Sequence, residues 1–269
     1  SITSELQNVK QEIVSELKIS RPTINKGQEG EFCSIFYNIG KKNKLFYGRN
    51  QIIEEILLKL SKDKLVFLTG VGGIGKTQIV QEIVFQLQNK YKLIMWFSSD
   101  TEIELLNEFN TAAITYKLIN EKEENFNYLT TILSSFIEKF PNSLIVYDGA
   151  DDISLELLTE KCVFPNSDII ITTQNSNIDL DEFSVIPIDT FTPEEAKFFL
   201  MNYSNNRKQT EQDTEVIATL CDLLENYPLA LEYARAYVNK TQNSFVEYIQ
   251  IYKQHKYDIL DEPLSKYKK

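Results

Sequence analysis

The sequence is short of the residues that build disulfide frameworks and metal centres. Its 269 residues include three cysteines, Cys33, Cys162 and Cys221, with no Cys-x-x-Cys pair, and one histidine, His255. An odd number of widely spaced cysteines favours buried thiols in a reducing compartment over a disulfide framework or a zinc site. We therefore expect the protein to be cytoplasmic.

Long apolar runs and an excess of positive charge are also missing. No apolar run approaches the roughly 18 residues that a membrane-spanning helix needs, and the N-terminus lacks the pattern of a signal peptide. Lys and Arg number 28 against 39 for Asp and Glu, which gives a net charge of −11. Because such an acidic chain binds phosphate backbones poorly, a nucleic acid is disfavoured as the main partner.

The first 44 residues precede any clear alternation of strands and helices. Apolar side chains recur every three or four residues from Ile2 to Leu17 and predict one helix over residues 1–19, either a packed linker helix or the tail of an upstream domain. Pro22 should end that helix, and the glycines up to Gly40 indicate a linker. Residues 1–44 are therefore predicted to be an N-terminal helix and linker.

Short apolar segments alternate with amphipathic ones between residues 45 and 190. Strands are predicted at 65–68, 92–98, 144–147, 169–172 and 185–188, and helices at 77–89, 101–119 and 124–140. Strands that are apolar throughout are typical of a parallel sheet covered on both faces. The pattern predicts an α/β domain, a three-layer sandwich with a parallel sheet, over residues 45–190.

Strand signals stop after residue 190. Pro193 stands at a predicted helix start and is followed by two acids, which suit the first turn of a helix. Helices are predicted at 193–203, 211–225, 228–239 and 244–254. We therefore expect a small all-α domain over residues 191–269.

Residues 70–77 read GVGGIGKT and match Gly-x-x-x-x-Gly-Lys-[Ser/Thr] between a predicted strand and a predicted helix. Glycines allow backbone N–H groups to curl around phosphate oxygens. In such a loop Lys76 reaches the β- and γ-phosphates, and the Thr77 hydroxyl coordinates Mg²⁺. The stretch also fits the Gly-x-Gly-x-x-Gly pattern of dinucleotide sites, but the Lys-Thr pair after Gly75 favours a nucleoside triphosphate loop.

A second acidic motif, LIVYDGADD, occupies residues 144–152 and ends a predicted strand at Asp148. The carboxyl ends of parallel strands lie beside a phosphate loop. Asp148 is therefore predicted to bind Mg²⁺ together with Thr77. Asp151 and Asp152 either cap a helix over residues 151–159 or help to orient water.

With both motifs in place, the chain resembles the NB-ARC group of STAND nucleotide switches. These are P-loop NTPases related to the AAA+ ATPases, and they include apoptosis scaffolds, plant immune receptors and bacterial regulators. The resemblance covers roughly residues 45–255. It depends on five motifs in a fixed order: FYGR at 46–49, GVGGIGKT at 70–77, LIVYDGADD at 144–152, IIITTQ at 169–174 and NYPLAL at 226–231.

The resemblance implies an adenine nucleotide, ADP or ATP with Mg²⁺, held between the α/β domain and the helical domain. Phe46, Tyr47 and Arg49 match the motif beside the adenine, and Pro228 with Leu229 matches the motif whose proline lies against the base. Contacts with the phosphates are expected from Gly72, Gly73, Ile74, Gly75, Lys76, Thr77 and Gln78.

Two departures from the family pattern weaken the implied chemistry. Relatives often carry a second acid where Gly149 stands, and an arginine where Gln174 stands. Gln174 can hydrogen-bond a γ-phosphate but cannot neutralise it. Lys76, Asp148 and Gln174 are the candidate catalytic residues, and slow ATP hydrolysis or none is expected. Arg235 is either a second sensor or an ion-paired helix residue.

The leading hypothesis is a molecular switch, off with ADP and on with ATP, that drives signalling, as in innate immunity, or self-assembly. The alternatives are a non-hydrolysing scaffold stabilised by nucleotide and an ordinary P-loop ATPase or kinase-like enzyme. The resemblance also implies a piece of a longer protein, because the family's winged-helix, effector and sensor domains have no counterpart here. Protein partners or self-association are expected through those flanking domains.

Overall fold

A computed structural model describes residues 35–201 and 211–260. The chain forms two compact units and passes from the first to the second between Asp189 and Thr190. The helix predicted over residues 1–19 lies outside the described residues.

The first unit alternates strands and helices. Its elements are β1 (Ile35–Tyr37), α1 (Asn50–Asp63), β2 (Leu65–Thr69), α2 (Lys76–Leu87), β3 (Leu93–Ser98), α3 (Glu102–Thr115), α4 (Phe126–Ile137), β4 (Ser143–Asp148), a π-helical turn (Leu157–Lys161), β5 (Ser167–Thr173) and β6 (Ser184–Pro187). All neighbouring strands are parallel, and their order is β1-β3-β4-β5-β2-β6. The order brings the carboxyl ends of β4, β5 and β2 side by side.

Both faces of this sheet are covered. Successive residues of a strand point to opposite faces. Phe67 and Ile145 belong to an apolar core shared with α3 and α4, while the alternate residues Val66 and Val146 are equally buried on the other face. Helices α1 and α2 contact strands of the sheet as well. The predicted three-layer α/β sandwich with a parallel sheet is therefore confirmed.

The second unit consists of helices and their connections, with no strand among the residues described for it. Its elements are α5 (Pro193–Met201), α6 (Glu211–Leu223), α7 (Pro228–Thr241) and α8 (Phe245–Leu260). At the start of α5 the Thr192 hydroxyl accepts from the N–H of Glu195 at 3.1 Å, and the Glu195 carboxylate accepts from the N–H of Thr192 at 3.0 Å. This reciprocal cap begins the helix at the predicted residue. The core of the second unit includes Leu200, Leu220 and Leu231.

Two elements have no counterpart among the predictions from the sequence. Strand β1 falls in residues predicted to be linker, and it pairs with β3 at the edge of the sheet. With three residues, it is too short to show a periodic pattern. Helix α1 follows Arg49, which has a φ of 62° and provides no side-chain cap, so the usual start signal is missing.

The two cysteines within the described residues, Cys162 and Cys221, are free and buried. Burial raises the pKa of Cys162 to about 12 and that of Cys221 to about 11. Both side chains are therefore protonated and unreactive at neutral pH.

No helix within residues 35–201 and 211–260 has the length and apolar character to cross a membrane.

Candidate functional site

The glycine-rich segment forms a tight turn between β2 and α2. Gly70 has a φ of 151° and Gly75 a φ of 102°, values that residues with side chains rarely adopt. A Cβ on Gly70 would lie 2.7 Å from the carbonyl oxygen of Ile188, so this position also has no room for a side chain. Because Gly75 is the N-cap residue, no side chain caps the first N–H groups of α2. These groups and the helix dipole favour an anion.

Lys76 is the first residue of α2 and is only 9% exposed. Its Nζ donates to the carbonyl oxygens of Gly70 at 2.5 Å and Val71 at 3.3 Å, so the ammonium lies against the loop. Burial lowers the pKa of Lys76, and the charges of Asp151 and Asp148 oppose that shift. A buried ammonium beside uncapped amide groups is suited to binding phosphate oxygens.

Asp148, the last residue of β4, accepts hydrogen bonds from two threonine hydroxyls. Thr77 Oγ1 in α2 lies 3.0 Å from Oδ1 and 3.1 Å from Oδ2, and Thr172 Oγ1 in β5 lies 2.6 Å from Oδ1. Burial raises the pKa of Asp148, while the two threonines and the charge of Lys76 act in the opposite direction. A hydroxyl and a carboxylate are hard oxygen ligands of the kind that Mg²⁺ uses while keeping several waters. The residues present therefore fit Mg²⁺.

Gln174 follows β5 and is held by Asp151. The backbone N–H of Gln174 donates to Asp151 Oδ1 at 2.6 Å, and its side-chain Nε2 donates to Oδ2 at 2.5 Å. A Cβ on Gly72 would lie 3.0 Å from Gln174 Oε1, so the glutamine stands directly over the phosphate loop. Residues 151–153 form bends, and Asp151 caps no helix there, which corrects one of the two roles considered for it.

The segment before α1 is tied by two side chains, one to the loop and one to α2. Arg49 Nη2 donates to the carbonyl oxygens of Ile74 at 3.3 Å and Asp189 at 2.7 Å. Asn43 Nδ2 donates to Gln78 Oε1 at 2.7 Å. The predicted contact between Arg49 and a nucleotide stays a prediction.

The structure brings together the predicted site residues that lie in the first unit around the loop. These are Arg49, Gly72, Gly73, Ile74, Gly75, Lys76, Thr77, Gln78, Asp148 and Gln174. Phe46 and Tyr47 directly precede this group in the chain and are partly buried.

The remaining predicted residues belong to the second unit. Pro228 and Leu229 are the first two residues of α7, and their contact with a base stays a prediction. Arg235 Nε donates to Glu232 at 2.8 Å, and its guanidinium lies 5.6 Å from the centre of the Phe199 ring. Of the two roles considered for Arg235, the ion-paired helix residue is the one present in the structure.

An open cavity of about 600 Å³ adjoins Asp148 and Gln174. Asp100 and Glu104, which the sequence analysis did not single out, line it together with Asp151 and Asp152. Burial raises the pKa of Asp100, and the charges of Asp152 and Asp151 raise it further. The signal that could have found Asp100 is its place just after the carboxyl end of β3.

Comparison with known proteins gives a family and a relative. The profile described as the NB-ARC domain matches residues 49–210. A nucleotide-binding leucine-rich repeat (NLR)-like protein of Hyaloscypha variabilis is 24% identical over 250 residues, which cover 78% of this chain and 24% of that protein. The chain therefore spans about a quarter of the length of this curated relative.

Solved structures share the fold. A Walker-type ATPase of Pyrococcus abyssi superposes with a TM-score of 0.60 at 13% identity, covering 84% of this chain and 77% of that chain. Cdc6p of Pyrobaculum aerophilum gives a TM-score of 0.55 at 14% identity, covering 76% of this chain and 65% of its own. At such identities the likeness concerns the architecture alone, and it agrees with the predicted P-loop fold.

Proposed function

The chain belongs to the NB-ARC family, and from that membership we propose that it is an adenine-nucleotide-binding molecular switch, off with ADP and on with ATP and Mg²⁺. The observation that carries the proposal is the contact between Thr77 and Asp148 beside the buried Lys76. This contact joins the start of the helix after the loop to the end of a neighbouring strand. It brings a cation, a hydroxyl and a carboxylate close together, which supports binding of a phosphate chain and its metal.

Each residue has a distinct role in this proposal. The uncapped N–H groups of α2 and the ammonium of Lys76 bind the phosphates. Thr77 and Asp148 hold Mg²⁺, which neutralises phosphate charge when it is bound. For the base we propose contacts from the motif that contains Phe46, Tyr47 and Arg49 and from Pro228 with Leu229.

Hydrolysis of ATP is proposed to be slow or absent. Gly149, directly after Asp148, has no side chain with which to orient water. Gln174 stands at the sensor position, and its amide nitrogen already donates a hydrogen bond to Asp151. A positioned arginine contributes about 10³–10⁵ to the rate of phosphoryl transfer, and a glutamine cannot replace its charge. Bound nucleotide is therefore expected to persist for a long time.

A slow hydrolase is suited to switching, because the bound nucleotide defines a lasting state. A ligand shifts an equilibrium only when it binds the two states with different affinity, and the γ-phosphate supplies that difference between ATP and ADP. We propose that the output is signalling or self-assembly of a longer protein, since the curated relative is named an NLR-like protein. A role in innate immunity belongs to this proposal. So does a cytoplasmic location, which the free, buried thiols support.

The second candidate is a scaffold in which the nucleotide is a structural cofactor. Gly149 and the Gln174 side chain, which is hydrogen-bonded to Asp151, favour this candidate. Both features are expected to lower the rate of ATP hydrolysis, and a switch needs hydrolysis to return to its ADP state. The two candidates differ in one respect. In a switch, ATP and ADP produce different assembly states, whereas in a scaffold either nucleotide produces the same state.

The first experiment tests the binding site. The purified protein is denatured, the released nucleotide is identified, and Mg·ADP and Mg·ATP are titrated into nucleotide-free protein by calorimetry. Lys76→Ala should weaken binding of both by roughly 100-fold, since the phosphates lose a charge-assisted contact. Lys62→Ala, at an exposed lysine of α1, is the matched control and should bind as the wild type does. Equal affinities of the two variants would contradict the proposed site.

The second experiment separates the switch from the scaffold. The mass of the particle in solution is measured by light scattering with Mg·ADP and with a slowly hydrolysed ATP analogue. A switch predicts a larger particle, or a different partner-binding competence, with the analogue. Equal masses and equal partner binding with both nucleotides, together with loss of stability in Lys76→Ala, would favour the scaffold.

A further inference from the structure

The orientation of the Gln174 side chain is fixed by its partner. Asp151 accepts two hydrogen bonds from Gln174, one from the backbone N–H at 2.6 Å and one from Nε2 at 2.5 Å. An ionised carboxylate can only accept hydrogen bonds, so the amide nitrogen must face Asp151 and the amide oxygen must face away from it. Oε1 accordingly points at the phosphate loop, 3.0 Å from the place where a Cβ on Gly72 would lie.

This pair stands among the groups that a terminal phosphate would contact. The charge of Asp151 acts on the Lys76 ammonium more strongly than that of Asp148 does. Asp151 and Gln174 also line the open cavity beside Asp148. A terminal phosphate in this cavity would therefore lie near the carboxylate of Asp151 and near the amide oxygen of Gln174, which is on the side of the pair that faces the loop.

On the basis of the nucleotide site proposed above, we propose that the Asp151–Gln174 pair sets the preference of the site for nucleoside diphosphates over triphosphates. A γ-phosphate that enters beside Gly72 meets an acceptor oxygen and a carboxylate, and both repel it. A diphosphate has no third phosphate to meet them. To admit a triphosphate, the Gln174 side chain has to turn its amide nitrogen from Asp151 toward the phosphate, which breaks the hydrogen bond from Nε2 to a charged acceptor.

Asp151 is thus a positioning residue that acts through Gln174. Asp151 should therefore change the ratio of the affinities for ATP and ADP, and not the affinity for nucleotides in general. General damage to the fold would weaken ADP and ATP together, whereas loss of the pair changes one relative to the other. The ratio of the Kd for a slowly hydrolysed ATP analogue to the Kd for ADP is therefore the quantity to measure, by calorimetry in Mg²⁺.

Asp151→Ala should lower this ratio by about tenfold, the equivalent of one charge-assisted hydrogen bond. Gln174→Ala should lower it as well, because the acceptor oxygen over the loop is removed. Asp152→Ala is the matched control: it removes the same charge from the next residue, which is exposed and holds no bond to Gln174. The ratio should change by less than about twofold in this control, since an exposed charge is screened.

Several outcomes would overturn the proposal. If Asp151→Ala and Asp152→Ala lower the ratio equally, net charge and not the pair sets the preference. If Gln174→Ala raises the ratio, the glutamine recognises the γ-phosphate instead of opposing it. Should Asp151→Ala fail to fold, Asp151→Asn keeps the size of the side chain, and its unchanged ratio would count against the pair. Failure of the wild type to bind ADP would remove the proposed function itself, whereas ADP binding with unchanged ratios removes only this inference.

Discussion

Two aspartates stand at opposite ends of the same parallel sheet, Asp168 fully buried and Asp148 half-buried, and their surroundings differ. Asp168, near the start of β5, accepts from Tyr91 Oη at 2.5 Å and from Lys64 Nζ at 2.9 Å, with Lys90 Nζ at 3.6 Å. Asp148, at the end of β4, accepts only from the hydroxyls of two threonines and has no salt bridge within the described part of the chain.

The difference agrees with a structural role for Asp168 and with the binding role proposed for Asp148. The charge of Asp168 is compensated by two lysines of the protein, whose side chains are exposed. The charge of Asp148 has only neutral hydrogen-bond donors in direct contact, and burial raises its pKa. A partly buried charge without a paired cation is costly to maintain. Such a cost is expected where a cation from outside completes the pairing, and the proposed Mg²⁺ on a nucleotide would be that cation.

The largest effect should come from Asp148→Asn. We expect roughly a 100-fold loss of affinity for ATP in the presence of Mg²⁺, because the charge that holds the ion is removed. Calorimetric titration with and without Mg²⁺ measures it. In EDTA, the variant and the wild type should bind nucleotide with similar affinity. A variant that kept its Mg²⁺-dependent binding would place the metal elsewhere.

Asp168→Ala should act on stability instead of binding. Tyr91 is 1% exposed and would lose the acceptor for its hydroxyl, so the free energy of unfolding should fall by about 1–3 kcal/mol in urea titrations. Lys64→Ala, which removes a lysine whose side chain is 64% exposed, should cost less than about 1 kcal/mol. Nucleotide affinity of the folded protein should stay within about twofold of the wild type in both variants. A specific loss of binding would mean that the two ends of the sheet are coupled.

The smallest effect should be a pH dependence carried by Asp148. Its carboxyl loses the proton near the ordinary pKa of 3.8 in the unfolded chain and at a higher pH in the folded protein. Between these values the folded state binds more protons, so unfolding free energy falls as pH rises. Without Mg²⁺, the wild type should lose stability relative to Asp148→Asn as pH is raised from about 4 toward neutrality. Urea titrations at several pH values measure this difference, and parallel pH curves for the two proteins would contradict it.

The predictable part of the fold is the part with a long local pattern. The inner strands are apolar on both faces, which makes them recognisable as continuous runs. Strand β1 has only three residues, of which only Tyr37 is fully buried. Helix α1 buries Ile53, Ile56 and Leu60 at helical spacing, so periodicity could have found it, although no capping residue marks its start.

The predictable part of the site is likewise the part contained in one segment. Lys76 and Thr77 follow from the loop motif, and Asp148 follows from the strand that it ends. The contact of Asp148 with Thr172 depends on the register of two strands, in which Tyr147 stands beside Ile171. The bond between Asp151 and Gln174 depends on the turn after β4. Neither of these two contacts can be predicted from a local sequence pattern, because each joins residues that only the fold brings together.

Arg49 gives the phosphate loop a direct mechanical connection to the end of the first unit. One nitrogen of its guanidinium holds the carbonyl of Ile74, in the loop, and that of Asp189, the residue after which the second unit begins. When the loop shifts, either one of these bonds has to lengthen or the backbone at Asp189 has to follow. The Arg49 side chain is therefore one route by which a displacement of the loop reaches the junction, beside the backbone bond from the Ile188 N–H to the Thr69 carbonyl oxygen.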